Sequence, residues 1–307
     1  MVDMKGKLYS ARIMSKLILG FMILTCCAVG SNAALSEEAD EPGTVPYNSL
    51  YDAAYRVSEY LDDESFDEYL HGDDSLFRRV LSFQDGIRRA EDFRFIPFSC
   101  NPTEIIGTTI PEQCLVNYGT EFAEDSSYEI EGEAVVAAEA IQITESFFDL
   151  FPVTVAEGRS FTDQDYDFIR SGRIPVILGA AYRDSFHVGD TFEGYYIFDR
   201  FTFEVIGFAE SGGFFYYSGV RDFVSYDGYM IMPFAAISED SPFGRIVLLQ
   251  EICGYMIAEN GRESAVEAYL DCLTSAGLRD WIGRIGIYDT SLEQERQRCN
   301  AVNRLFQ

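Results

Sequence analysis

A zinc site built on histidine, or a Ser-His-Asp triad, would need at least one of the two histidines, His71 and His187. They stand far apart in unlike surroundings. Neither lies in a motif that would bring a nucleophile or further ligands, so both read as polar surface residues. In "DQDYD", Asp163, Asp165 and Asp167 alternate as carboxylates do in a calcium loop. The sixth position of that loop is Phe168 instead of Gly, and the twelfth is Ile174 instead of Glu, which argues against calcium. With 51 acidic residues, close carboxylate pairs are inevitable, so glycosidase chemistry does not follow from their presence. No glycine-rich phosphate cradle occurs. The chain therefore reads as non-enzymatic, with no catalytic, cofactor-binding or metal-binding residue assigned.

Cysteine is the remaining reactive type. Cys26 and Cys27 lie in an apolar segment and read as inert. Cys100 and Cys114 enclose 13 residues of loop-like sequence containing Pro102 and Pro111, and a disulfide between them fits an oxidising compartment. Cys253 and Cys272 form a second candidate pair, and Cys299 is left over. The alternative for all of them is small buried thiols. Four consecutive aromatic residues, Phe214 to Tyr217, stand in "ESGGFFYYSG". They read as a hairpin whose rings pack inward, in preference to an exposed contact patch for a partner.

These residues sit in a chain of 307 residues that is 47% hydrophobic and 15% aromatic, enough for a sizeable core with many aromatic pairs. The net charge of −28 excludes nucleic acid as a partner and reads as an acidic solvated exterior. The first 35 residues carry +3, from Lys5, Lys7, Arg12 and Lys16 against Asp3, leaving −31 on the rest. An apolar run from Leu17 to Gly30 follows this basic flank, which places the N-terminus inside and the remainder outside. Ser31-Asn32-Ala33 suits signal-peptide cleavage after Ala33, whereas Leu17 to Leu35, 19 residues, suits a short membrane helix. Thr25 before Cys26 argues against a lipoprotein. The local sequence leaves the first two open.

Residues 36–46 read as a polar linker. "YNSLYDAAYRVSEYL" places Leu50, Ala54, Val57 and Leu61 at helical spacing and predicts an amphipathic helix. A second helix is expected over about 75–90, then strands over "DFRFIPFS", 133–144 and 174–178. A short helix over 180–186 and a hairpin through Phe201, Phe203 and Val205 follow, then a strand in "YMIMPF". A strand over 252–258 leads to a helix capped by Asn260 and Glu263, burying Val266, Tyr269, Leu270 and Leu273 and ending at Gly277. "RIGIYD" is the return strand, and a charged helix runs from Thr290 to Gln307 with Arg296 and Arg304 along it.

Within this order, "ITESFFDLFPVTVAEGRSFTDQD" resembles the pattern of the MacB-type periplasmic core domain of FtsX-like ABC transporter permeases. Ile143, Thr144, Phe147, Phe148, Gly158, Arg159, Phe161 and Asp165 carry the match. Further on, Pro175-Val176-Ile177, Phe186, Val188-Gly189-Asp190 and Phe203 with Val205-Ile206-Gly207 continue it. Gly158, Arg159, Pro175, Gly189, Asp190 and Gly207 read as residues that specify the fold, since glycine supplies the positive φ of such turns.

The resemblance implies an α+β ectodomain: a porter-like α/β subdomain (47–150 and 245–289) with a β-rich insertion (151–244) and an exit helix (290–307). It implies one N-terminal membrane helix at 17–35 that stays attached, with residues 1–16 cytoplasmic and the bulk extracytoplasmic. The implied partners are an ABC ATPase subunit and permease membrane helices. Three further membrane helices expected of the family do not appear in the sequence, so it reads as a fragment or as one part of a complex. A secreted binding protein released after Ala33 is the alternative.

Overall fold

The segment expected to form the first helix is a strand. In the computed structural model, which describes residues 48–116, 127–197, 199–217, 222–281 and 284–305, β1 runs over Ala54–Glu59 after a single 3-10 turn at Tyr51–Ala53. Ala54 packs into one core of the molecule and Val57 into another, so the chain alternates faces here and does not follow a helical stripe. The expected membrane segment at 17–35, with Cys26 and Cys27, lies outside the described residues. Among the described residues no helix is long and apolar enough to cross a membrane.

Helices α1 (Asp63–His71) and α2 (Asp74–Arg89) follow. Asp62 and Asp73 cap them, accepting from the backbone N–H of Ser65 and Ser75 at 2.8 and 2.7 Å. α2 buries Leu76, Phe77, Val80, Phe83 and Ile87 at three- and four-residue spacing, as expected. β2 (Phe93–Ser99), β3 (Thr103–Ile106) and β4 (Ser127–Ile130) come next. The strand expected over 133–144 is two, β5 (Glu133–Ala138) and β6 (Ala140–Ile143). The break at Glu139 sends them to different neighbours, because β5 pairs with β3 and β6 with β2 and β13.

The chain continues through α3 (Phe147–Leu150), β7 (Val155–Gly158), α4 (Phe168–Ser171) and β8 (Arg173–Leu178). A 3-10 turn, Ala180–Tyr182, occupies the place of the expected helix over 180–186. β9 (Thr191–Tyr196) and β10 (Asp199–Ala209) form the expected antiparallel hairpin. β11 (Phe214–Tyr217) and β12 (Asp222–Ser225) make a separate two-stranded sheet, with Phe215 and Tyr216 buried as an inward-packing hairpin requires. β13 (Met230–Pro233), α5 (Pro242–Glu251), β14 (Gly254–Ala258), α6 (Arg262–Ser275), β15 (Ile285–Ser291) and α7 (Leu292–Leu305) complete the order.

Thirteen strands join in one sheet, in the order β15-β1-β14-β2-β6-β13-β8-β10-β9-β3-β5-β4, with β7 also on β10. β3, β5 and β4 follow β9 at one end of this order. β14-α6-β15 is a split unit, because β1 lies between its two strands and pairs antiparallel with both. Helices α1, α2, α5 and α6 cover one face of β1, β14 and β2, while α3, α7 and the β11–β12 hairpin lie on the other.

Two expectations for α6 need correction. Gly261, at φ +91°, stands at its N-cap, and Asn260 turns away to Asp92, its Nδ2 donating to Oδ1 at 3.4 Å. The positive φ at Gly261 sets the helix entry where a side-chain cap was expected. Tyr269 and Leu273 are buried as expected, with Ala265 beside them, but Val266 and Leu270 are only half-buried. The C-terminus does close at Gly277 (φ +73°), in a Schellman motif with Gly277 N–H to Thr274 O at 3.1 Å and Leu278 N–H to Leu273 O at 2.8 Å.

Candidate functional site

The Gly158-Arg159 turn is built by backbone contact. Gly158 pairs with Gly207 where β7 meets β10. A Cβ on Gly158 would lie 2.2 Å from the carbonyl oxygen of Ile206, and one on Gly207 would lie 2.8 Å from that of Glu157. Arg159 N–H then donates to Ile206 O at 2.9 Å.

The Arg159 guanidinium grips Asp165 with two bonds, Nη1 to Oδ2 at 2.6 Å and Nη2 to Oδ1 at 2.9 Å, and reaches Ser160 O at 3.0 Å. Asp165 Oδ2 also accepts from Thr162 N–H (2.6 Å) and Thr162 Oγ1 (2.8 Å). Burial alone would raise the Asp165 carboxyl, but the bonds from Arg159 and Thr162 outweigh it and hold the group below the usual carboxylate range. This accounts for the spacing of Gly158, Arg159 and Asp165: the Asp closes the turn that the Gly-Arg pair opens. With Asp165 so engaged, "DQDYD" is a capping turn, and among the described residues no cluster of His, Cys, Asp and Glu could hold a metal ion.

The remaining motif residues do similar work. Pro175 lies in β8 opposite Glu204 of β10. β13 pairs with β8 only at Ile177 and Leu178, so the missing N–H of Pro175 falls beyond that ladder. Gly189, at φ +94°, donates its N–H to Val205 O at 2.8 Å, and Val205 N–H donates to Asp190 O at 2.9 Å. Asp190 Oδ2 accepts from His187 N–H at 2.8 Å, which fixes the turn on β10. The sequence model of the MacB-like periplasmic core domain matches residues 104–261, half of the chain and all of these positions. The chain belongs to the MacB-like periplasmic core domain family.

Among solved structures, this MacB-like chain is similar to the periplasmic region of MacB from Actinobacillus actinomycetemcomitans, at 14% identity and TM-score 0.41 over 80% of this chain and 92% of that one. It is also similar to the extracellular domain of the noncanonic ABC-type transporter YknZ from Gram-positive bacteria, at 13% identity and TM-score 0.38 over 77% and 100%. No curated protein matches it.

His71 and His187 of the MacB-like domain are surface residues, near Asp67 and Asp190 at 3.8 and 3.5 Å. Cys100 and Cys114 carry free thiols, Cys114 in the core and Cys100 half-buried. Burial pushes the Cys114 thiol up to about 11 and raises Cys100 well above the usual thiol range. Cys253 and Cys272 are thiols as well, and Cys253 Sγ donates to Leu249 O at 3.5 Å.

One ionisable group escaped the sequence. Glu251, at the end of α5, is buried and hydrogen-bonded by Gln84 Nε2 and by Arg88 Nη2, the latter at 2.9 Å, both from α2. Burial raises its carboxyl to about 7 against the opposing pull of Arg88 and Gln84. Its only sequence signal is a Gln-Glu pair closing an apolar helix.

At the other end of the fold, α7 packs against the Tyr51–Ala53 turn, β1, β15 and β12. Tyr51 lies close enough to Arg296 and Glu293 for both charges to act on its hydroxyl, whose pKa burial pushes up to about 12. The entry and the last helix of the described fold therefore share one face.

Proposed function

We propose that this chain is the non-enzymatic extracytoplasmic part of an ABC-type transporter permease. It would be held to the membrane by the segment at 17–35 and would relay ATP-driven motion of a partner ATPase toward export or mechanotransmission. The observation that carries the proposal is the packing of α7 on the Tyr51–Ala53 turn, which brings entry and exit to one side of a single large sheet. A displacement applied at that side would reach β1 and β15 together, since both strands are paired in the sheet that α7 rests on. The partners would be the ATPase and permease membrane helices, on this chain or another.

Membrane co-purification with photo-crosslinkers at Arg296 and Arg304 tests this. The expected product contains an ATPase or permease partner, from a chain whose N-terminus has not been cut. Recovery of a soluble monomer beginning at Ala34 and joined to no partner would rule out the coupling role and favour a secreted binding protein.

A further inference from the structure

One arginine of the sheet stands without a counter-ion. On β1, Ala54 and Arg56 point to the face that carries α7 and the β11–β12 hairpin, and Ser58 and Tyr60 continue that row. The Arg56 guanidinium lies over the rings of Phe98 and Tyr255, its Cζ 5.2 and 5.5 Å from their centroids. Its Nε and Nη1 are buried with no hydrogen-bond partner. Acidic groups are plentiful, 51 against 23 basic ones, yet among the described residues no carboxylate pairs with it. Other arginines on the sheet and its helices do find partners: Arg94 holds Asp149 at 2.6 Å, and Arg262 takes Asp289 from β15, the strand beside Arg56. The charge of Arg56 acts on the Cys100 thiol and the Tyr255 hydroxyl, but burial keeps both protonated, so neither neutralises it. An unpaired guanidinium partly withdrawn from water is a cost to the fold that the two ring contacts offset only in part.

Beyond Arg56 the same face turns into exposed aromatic surface. Tyr60 and Tyr288 are 46% and 37% exposed, and their ring centroids stand 6.3 Å apart. Gly286 of β15 pairs with Ser58, and a Cβ on it would come 3.0 Å from Cε2 of Tyr60, so the Tyr60 ring lies across β15. Tyr288 follows Ile287, the partner of Val57, and so leaves β15 beside Arg56. A guanidinium and two exposed phenol rings therefore share about 13 Å of one sheet face. Arginine and tyrosine are the side chains that most often anchor a protein contact.

We propose that Arg56, Tyr60 and Tyr288 form a docking site for a partner polypeptide, which sets one Asp or Glu side chain against the guanidinium and lays a neighbouring ring on the two tyrosines. The carboxylate enters from the side on which Arg56 is still part-exposed and supplies the counter-charge that the fold omits. The net charge of −28 defines the rest of the partner, because a polyanion is repelled at longer range. A single carboxylate among neutral or basic residues satisfies both conditions. The site stands on these contacts alone and does not depend on the coupling role.

Side-chain NMR of the full chain, labelled at Arg and Tyr, tests the site with two blocked dipeptides, acetyl-Tyr-Glu-amide and acetyl-Tyr-Gln-amide. The first is expected to shift the signals of Arg56, Tyr60 and Tyr288, and the second to bind at least about tenfold more weakly. Arg56→Met should lose the Tyr60 and Tyr288 shifts with the glutamyl peptide. Its Tm should equal or exceed that of wild type, because the unpaired charge is gone while an apolar stem still covers Phe98 and Tyr255. Equal binding of the two peptides, or no shift at the three residues, would overturn the site. So would an Arg56→Met protein that fails to fold or melts more than about 3 °C below wild type, since the arginine would then be held for packing. Inorganic phosphate or anionic vesicles moving the same signals more strongly than the glutamyl peptide would rule out a polypeptide as the occupant. None of these readouts needs an ATPase or permease, so a failed co-purification and a failed docking site are separate results.

Discussion

Gly158 and Gly207 stand opposite each other on β7 and β10 with no room for a side chain between the strands. A methyl on Gly158 would meet the Ile206 carbonyl oxygen at 2.2 Å, and its φ of +82° disfavours any L side chain. Gly158→Ala is expected to cost roughly 2–4 kcal/mol, combining backbone strain with displacement of β10. Gly189 is the control: its φ is +94°, but a Cβ there meets nothing within 4 Å. Gly189→Ala should cost about 1 kcal/mol, the conformational part alone. Urea denaturation of the two variants measures the gap, and equal losses would remove close approach as the reason for Gly158.

Glu251 gives a pH dependence of defined sign. Its carboxyl is raised from 4.5 to about 7 in the fold, so the folded state holds the proton more tightly than the unfolded chain. The cost of burying the charge is therefore felt above pH 7 and relieved as pH falls toward 4.5. Across that window the group should add on the order of 3 kcal/mol of stability. Glu251→Gln lacks this slope, so its stability relative to wild type should fall by that order between pH 8 and pH 4.5. A difference that stays constant with pH would mean that Arg88 keeps the carboxylate ionised throughout.

What could be read from the sequence was local backbone geometry. Gly158-Arg159 with Asp165, Pro175 and Gly189-Asp190 act within a few residues or against one neighbouring strand, so their types and spacing carry the information. β1 was misread because Leu50, Ala54, Val57 and Leu61 fall at helical spacing by coincidence. The strand's partners in β14 and β15 lie about two hundred residues later, and no local pattern announces them. Glu251 was hidden for the same reason, since its partners Gln84 and Arg88 are 167 and 163 residues away. The packing of α7 against β12 likewise exists only after folding.

The thiols offer a direct check on burial. Cys114 is fully buried, and burial raises both it and Cys100, so neither supplies much thiolate near neutral pH. Both should resist iodoacetamide in the folded protein and react once it is unfolded in urea. Peptide mapping without reductant, on protein from its own compartment, would instead join the two peptides if the pair forms there.

Two leucines on α6 separate burial from position on the helix. Leu273 is fully buried among Tyr269, Phe83 and their neighbours, and its carbonyl anchors the Leu278 N–H that closes the helix. Leu270, one turn earlier, packs at the edge of the same core and is only half-buried. Leu273→Asp places an unpaired carboxylate where no water reaches and should cost more than about 4 kcal/mol, enough to unfold a marginal domain. Leu270→Asp can turn its carboxylate to solvent and should cost about 1–2 kcal/mol. Because α6 lies between β14 and β15, and β15 runs directly into α7, the first change also loosens the strand that leads into the last described helix. Thermal unfolding followed by circular dichroism ranks the two variants. If Leu270→Asp proved as damaging as Leu273→Asp, the packed face of α6 would have to be rotated from the one described.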